Sequence, residues 1–158
     1  MNPTKNDIPA KTRGEMISLL NAILADVFDL FSQTKQAHWN VKGPNFIALH
    51  ELFDDVAEAV EGYTDDIAER AVMLGGIAMG TARLAAANST LKEYPVNITS
   101  GAEHVAALSD ALAATGKIVR KGLETADKAG DADTADLLTG ISRGLDKYLW
   151  FVEAHLQS

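Results

Sequence analysis

Apolar residues recur along most of the chain at intervals of three and four, the spacing of one face of an α-helix. Over residues 11–39 the stripe is Met16, Leu19, Leu20, Ile23, Leu24, Val27, Phe28 and Phe31. It stops before Gly43-Pro44, a helix-breaking pair because proline lacks an amide donor. A second stripe begins near Asn45 and runs through Leu49, Phe53, Val56, Val60, Tyr63, Ile67 and Leu74 to Gly75-Gly76. Residues 77–97 carry no such period, and a connection of about twenty residues is long for a helical bundle, so a short helix is expected inside it, over 81–87. A third helix is expected over 100–129, with Thr99 or Ser100 as N-cap and Gly130 as terminator. A fourth is expected over 133–155, carrying Leu137, Leu138, Ile141, Leu145, Leu149 and Val152.

Four long helices, with one long crossover holding a short helix between the second and third, describe an all-α, ferritin-like four-helix bundle. A chain of 158 residues suits one domain; residues 11–158 are read as that domain and 1–10 as a short flexible tail. Composition agrees, with 47% hydrophobic residues, 6% aromatics and four prolines. No apolar run approaches the ~18 residues of a membrane span, and the polar start MNPTKNDIPAKTRG lacks the apolar region of a secretory signal. A cytoplasmic location, with nucleoid association left open, is the expectation. The absence of cysteine excludes disulfides, thiolate metal sites and cysteine nucleophiles. A net charge of −8 argues against a surface made for nucleic acid and favours cations.

That charge is concentrated. Between Gly43 and Glu69 stand Glu51, Asp54, Asp55, Glu58, Glu61, Asp65, Asp66 and Glu69, with no Lys or Arg among them. On a helical wheel the apolar stripe of the second helix centres about 100° to one side of His50, whereas Asp54, Asp65 and Glu69 fall within about 100° on the other. His50 with Asp54, and Asp65 with Glu69, are i, i+4 pairs, each able to offer two donors to one ion. His50 and Asp65 are nonetheless roughly 22 Å apart along one straight helix, so each pair is half a site. A two-fold contact with a second copy, its helix crossing antiparallel near Ala59 and Val60, would complete two equivalent sites. His38, one Gly-Pro turn away, can fold toward His50. Imidazole and carboxylate donors with open positions suit iron, with zinc an alternative that ligand type alone does not exclude.

The runs KQAHWNVKGPNFIALHELFDD, YTDDIAERAVMLGG and TADLLTGISRGLDKYLWFVEAHLQ resemble the Dps family (DNA-binding protein from starved cells), the mini-ferritins, in the spacing His-x11-His-x3-Asp-x10-Asp-x3-Glu. The resemblance implies a metal site of His38, His50 and Asp54 from one subunit with Asp65 and Glu69 from its partner, and Trp39 placed to take up stray oxidising equivalents. It implies a hollow dodecamer that oxidises Fe(II), preferably with hydrogen peroxide, and stores a ferric mineral. No Glu-x-x-His occurs, so the intrasubunit di-iron site of ferritins and bacterioferritins is not expected.

Other residues have plainer readings. Glu58 and Glu61 suit a solvated acidic face. His104 and His155 lack partner spacing and are read as structural or exposed, and Trp150 and Phe151 as core or interface packing. Glu124, Asp127, Asp131, Asp133 and Asp136 surround the third turn, either as helix-start charge or as the lining of a cation pore. For DNA, Lys5, Lys11 and Arg13 are the only N-terminal cations, so binding is expected to be weak or absent. The alternative to a ferroxidase is a nucleoid-compacting protein in which iron oxidation is secondary.

Overall fold

The computed structural model describes residues 1–157. Five helices follow one another: α1 (Ala10–Asn40), α2 (Phe46–Met73), α3 (Ala82–Asn88), α4 (Gly101–Ala129) and α5 (Ala132–Glu153), with no extended strand among the described residues. The short helix lies one residue beyond its expected span, with Thr81 as its N-cap. Ser100, not Thr99, caps α4: its hydroxyl accepts from the Glu103 amide while the Glu103 carboxylate accepts from the Ser100 amide, a reciprocal capping box. The hydrogen bonds from Ser100, opposed by a small burial cost, hold the Glu103 carboxyl below its usual range. Gly130 ends α4 at φ 80°, a left-handed conformation that glycine adopts without a Cβ clash. The last helix ends at Glu153, so His155 lies beyond it and is exposed.

The pairs α1·α2 and α4·α5 are antiparallel hairpins; α1 packs on α4, and α2 on α5. Met16, Leu20, Ile23, Leu24 and Val27 from α1 meet Leu49, Phe53, Val56, Val60 and Ile67 from α2 in a single core. Burial of such side chains, each worth ~1.5–3 kcal/mol, is the main stabilising term. Gly144 lets α2 approach α5, since a Cβ there would overlap the Tyr63 hydroxyl.

The crossover is anchored through a residue that period alone does not reveal. Asp26, 3% exposed on the core side of α1, accepts from the Thr90 amide at 2.6 Å and its hydroxyl at 3.0 Å. At its far end the Lys42 amide donates to Thr99 O at 2.9 Å, fastening the crossover to the α1–α2 turn. Before α1, the Asn2 amide donates to Gly75 O at 2.7 Å. No helix among the described residues is long and apolar enough to cross a membrane.

Candidate metal centre

The end of α1 and the start of α2 bring His38, His50 and Asp54 together. His38 is nearly buried at 9% exposure, and His50 half-buried. Their rings stack with centroids 3.8 Å apart and planes at 19°. His38 Nδ1 lies 2.8 Å from His50 O, and His50 Nδ1 lies 2.9 Å from His38 O. A carbonyl oxygen only accepts, so each Nδ1 carries the proton and donates, which leaves each Nε2 with a free lone pair. In its neutral form each imidazole is therefore held by the backbone as the tautomer whose Nε2 lone pair is open. Asp54 Oδ1 lies 3.9 Å from His38 Nδ1.

Lys35, which the spacing argument missed, reaches from α1 to Asp54 with Nζ 2.6 Å from Oδ1. Its hydrogen bond is the first cause, and its charge a further one, of an Asp54 carboxyl held below its usual range. The signal was available: Lys35 stands three residues before His38 and shares its helical face. Thus one countercharge for the acidic helix comes from the same chain. Apolar residues rim this half-site, with Trp39 67%, Phe46 38% and Ile47 60% exposed, and the Phe46 ring is 5.1 Å from that of His50.

Asp65 and Glu69 lie exposed on the same helix, remote from the histidines. Asp65 and Glu61 line a shallow groove of about 240 Å³ whose walls include Leu24, Phe28 and Phe31. Among the described residues of one chain, no three His, Asp or Glu side chains converge to hold an ion. At the level of Ala59 and Val60, where the two-fold crossing is expected, the Val60 side chain is fully buried in the chain's own core. Glu58, Ala59, Glu61 and Gly62 offer surface at that level.

The acidic turn divides. Asp127, Asp133 and Asp136 are exposed, but Asp131 is 1% exposed and unsuited to a pore lining. It caps α5, accepting from the Thr134 amide at 3.0 Å and from Arg70 at 2.7 Å. Burial works to raise its carboxyl, and the bonds from Thr134 and Arg70 more than offset this, so it sits below its usual range. Arg70 also lies 3.8 Å from Asp133. At the N-terminus Arg13 is half-buried and donates to Leu74 O at 3.5 Å, so its guanidinium is turned to the end of α2. Lys11, 89% exposed, lies 3.8 Å from Glu15. Trp150, expected as packing, is 62% exposed, whereas Phe151 is half-buried.

Residues 17–158 match the ferritin-like domain family. The DNA protection during starvation protein of Agrobacterium fabrum is 46% identical over 98% of this chain and 95% of its own length. The protein of that name from Mycolicibacterium smegmatis is 36% identical over 94% of this chain and 80% of its own. Among solved structures, Mycobacterium smegmatis Dps in its tetragonal form superposes with TM-score 0.94 at 35% identity, covering 99% of this chain and 96% of that one. Microbacterium arborescens Dps in its high iron form gives 0.87 at 30% identity, covering 98% and 99%.

Proposed function

The chain belongs to the Dps family of ferritin-like proteins, and we propose that it is an iron-sequestering ferroxidase whose metal sites are shared between two copies. The observation that carries this reading is the reciprocal pair of bonds between His38 and His50, which engages both Nδ1 atoms and leaves both Nε2 atoms open on an end of the bundle where Asp54 Oδ1 also lies, 3.9 Å from His38 Nδ1. Asp65 and Glu69 of a second copy complete the donor set when the two α2 helices lie antiparallel. Two features favour that arrangement: the apolar rim of Trp39, Phe46 and Ile47 on one half, and the apolar-walled groove beside Asp65 on the other.

Fe(II) is the substrate. His38 and His50 supply neutral nitrogen donors suited to the ferrous ion, and the carboxylates favour the ferric product because its extra charge strengthens their attraction. Each peroxide molecule takes two electrons, so two ferrous ions are oxidised for every O–O bond broken and two hydroxides form. Completing the reduction in this way withholds the one-electron product, hydroxyl radical. Asp54 must exchange Lys35 for the metal, and the displaced ammonium then faces solvent. The ferric product collects as mineral inside a hollow homo-oligomer, for which twelve subunits is the family's pattern; Asp127, Asp133 and Asp136 are exposed candidates for a pore that admits cations. Sequestered iron protects DNA in a cytoplasmic setting without needing to touch it. Zinc would occupy the same donors without redox turnover.

The deciding experiment is anaerobic loading with Fe(II), then a stoichiometric pulse of hydrogen peroxide, recording ferric absorbance and the iron that co-elutes with protein on gel filtration. Rapid oxidation with iron retained in a particle far larger than one chain is expected. Slow oxidation with free ferric precipitate would overturn the reading.

A further inference from the structure

Tyr94 and His104 form a second redox-capable pair that the ferroxidase chemistry does not use. His104 is 1% and Tyr94 7% exposed. The Tyr94 hydroxyl lies 2.8 Å from His104 Nδ1, and their rings are near parallel at 18°. Among the described residues Tyr94 alone of the three tyrosines hydrogen-bonds an imidazole. His104 Nε2 is buried with no hydrogen-bond partner among the described residues, and the backbone of Ile98 and Asn40 favours the protonated ring. A phenol O–H is a much stronger acid than the N–H of a neutral imidazole, so the Tyr94 hydroxyl is assigned as the donor and His104 Nδ1 as the base that receives it.

Asn40 stands two residues beyond His38, about 3 Å along the helix axis, and Trp39 lies between them. The Lys42–Thr99 hydrogen bond holds this end of α1 against the crossover that carries Ile98. Because the His104 amide bonds Ser100 O in the first turn of α4, next to Thr99, the pair is held near the end of α1 that carries His38.

We propose that Tyr94 is a proton-coupled electron donor that quenches stray one-electron oxidants arising at the metal site, with His104 as its proton acceptor. The oxidant is hydroxyl radical, formed when a single ferrous ion gives one electron to hydrogen peroxide. Tyr94 yields one electron, directly or after Trp39 has been oxidised. Its O–H bond breaks and the proton crosses to His104 Nδ1, while the electron reduces the radical to hydroxide. A neutral phenoxyl and an imidazolium remain, and the backbone of Ile98 and Asn40 favours that cation. Burial pushes the Tyr94 phenol well up and pulls the His104 imidazole down, opposed by the backbone of those two residues. A phenol radical cation would be an unsolvated charge at this buried position, so electron and proton leave the phenol together.

The proposal rests on the ferroxidase reading only for the source of its oxidant, so it is tested without iron. The assembled, iron-free protein is flashed with a ruthenium tris-bipyridine photo-oxidant and persulfate, frozen, and examined by electron paramagnetic resonance. The expected result is a neutral tyrosyl signal that falls at least tenfold in Tyr94→Phe, with gel-filtration profile and helical content retained. An undiminished signal in that variant, from Tyr63 or Tyr148, would overturn it. A second measurement needs no variant: after exchange into D2O, the wild-type radical should show coupling to one deuteron donated by the imidazolium. A tyrosyl signal without that deuteron would remove His104 from the scheme. Ferrous oxidation of the wild type, followed separately, reports on the ferroxidase reading and leaves the light-driven result standing either way.

Discussion

His38 and His50 each hydrogen-bond the other's backbone carbonyl, Nδ1 to oxygen at 2.8 and 2.9 Å, with their rings stacked. Neither ring is oriented without the other's backbone in place, and removing one ring strips the stacking support from its neighbour. Their effects on metal binding should therefore be coupled. His38→Ala and His50→Ala are each expected to weaken Zn(II) binding to the assembled protein by about 10–100-fold, and the double variant little further, by isothermal titration calorimetry. Losses that simply multiply would show two independent ligands.

A site shared between copies makes a prediction that an intrachain site cannot. His50→Ala and Asp65→Ala are each expected to oxidise iron slowly while retaining the assembled shell. When the two variants are dissociated and reassembled at equal ratio, half of the dimers are mixed, and each mixed dimer has one intact site of two. About a quarter of wild-type ferroxidase activity should return. No recovery in reassembled, mixed oligomers would place all the ligands in one chain.

Lys35 holds Asp54 with Nζ 2.6 Å from Oδ1, and under the proposed function it must surrender the carboxylate when metal binds. Lys35→Met keeps most of the aliphatic stem and removes the competing charge, so Fe(II) affinity measured anaerobically at pH 6 should rise about tenfold. Stability should change little, because Asp54 is 57% exposed and such pairs are well solvated. Unchanged or weaker binding would mean that Lys35 assists the ion.

Arg70 and Asp131 tie the end of α2 to the start of α5 with almost no exposure. The Asp131 carboxyl sits below its usual range in the folded chain. An unfolded chain takes up that proton near pH 3.9, before the folded chain does. Between those two points the unfolded state binds more protons, so stability falls as pH falls, and the contribution is fully present above about pH 5. Asp131→Asn is expected to lower stability at pH 7 by about 3 kcal/mol, because it removes the buried partner of Arg70 and leaves only the exposed Asp133 at 3.8 Å, and to flatten the acid limb. Urea unfolding at pH 7 and pH 3.5 reads both effects.

DNA should be retarded weakly or not at all in a gel-shift at about 50 mM salt, and not at physiological salt. Arg13 is turned onto Leu74 O and Lys11 lies against Glu15, which leaves Lys5 as the N-terminal cation without such a partner. Retardation that survives added salt would move the nucleoid-compacting reading to the front.

The helices were legible because period is a local property. Leu49, Phe53, Val56, Val60 and Ile67 fall on one face wherever the helix is placed, and each is buried. The proposed metal ligands were nameable for the same reason, since i, i+4 spacing and a Gly-Pro turn limit where His38, His50 and Asp54 can lie. Lys35 against Asp54, Asp131 under Arg70, Asp26 on Thr90 and Tyr94 on His104 were not. Three of these pairs join residues 19 to 64 positions apart, and the fourth spans the ten residues from the crossover to the first turns of α4. Each depends on how one helix is rotated and shifted against another element, which is set by how the whole core packs. Sequence alone determined which faces are apolar and which carry metal donors; the tertiary structure decided which charges are already satisfied within the chain and which histidine is locked away from solvent.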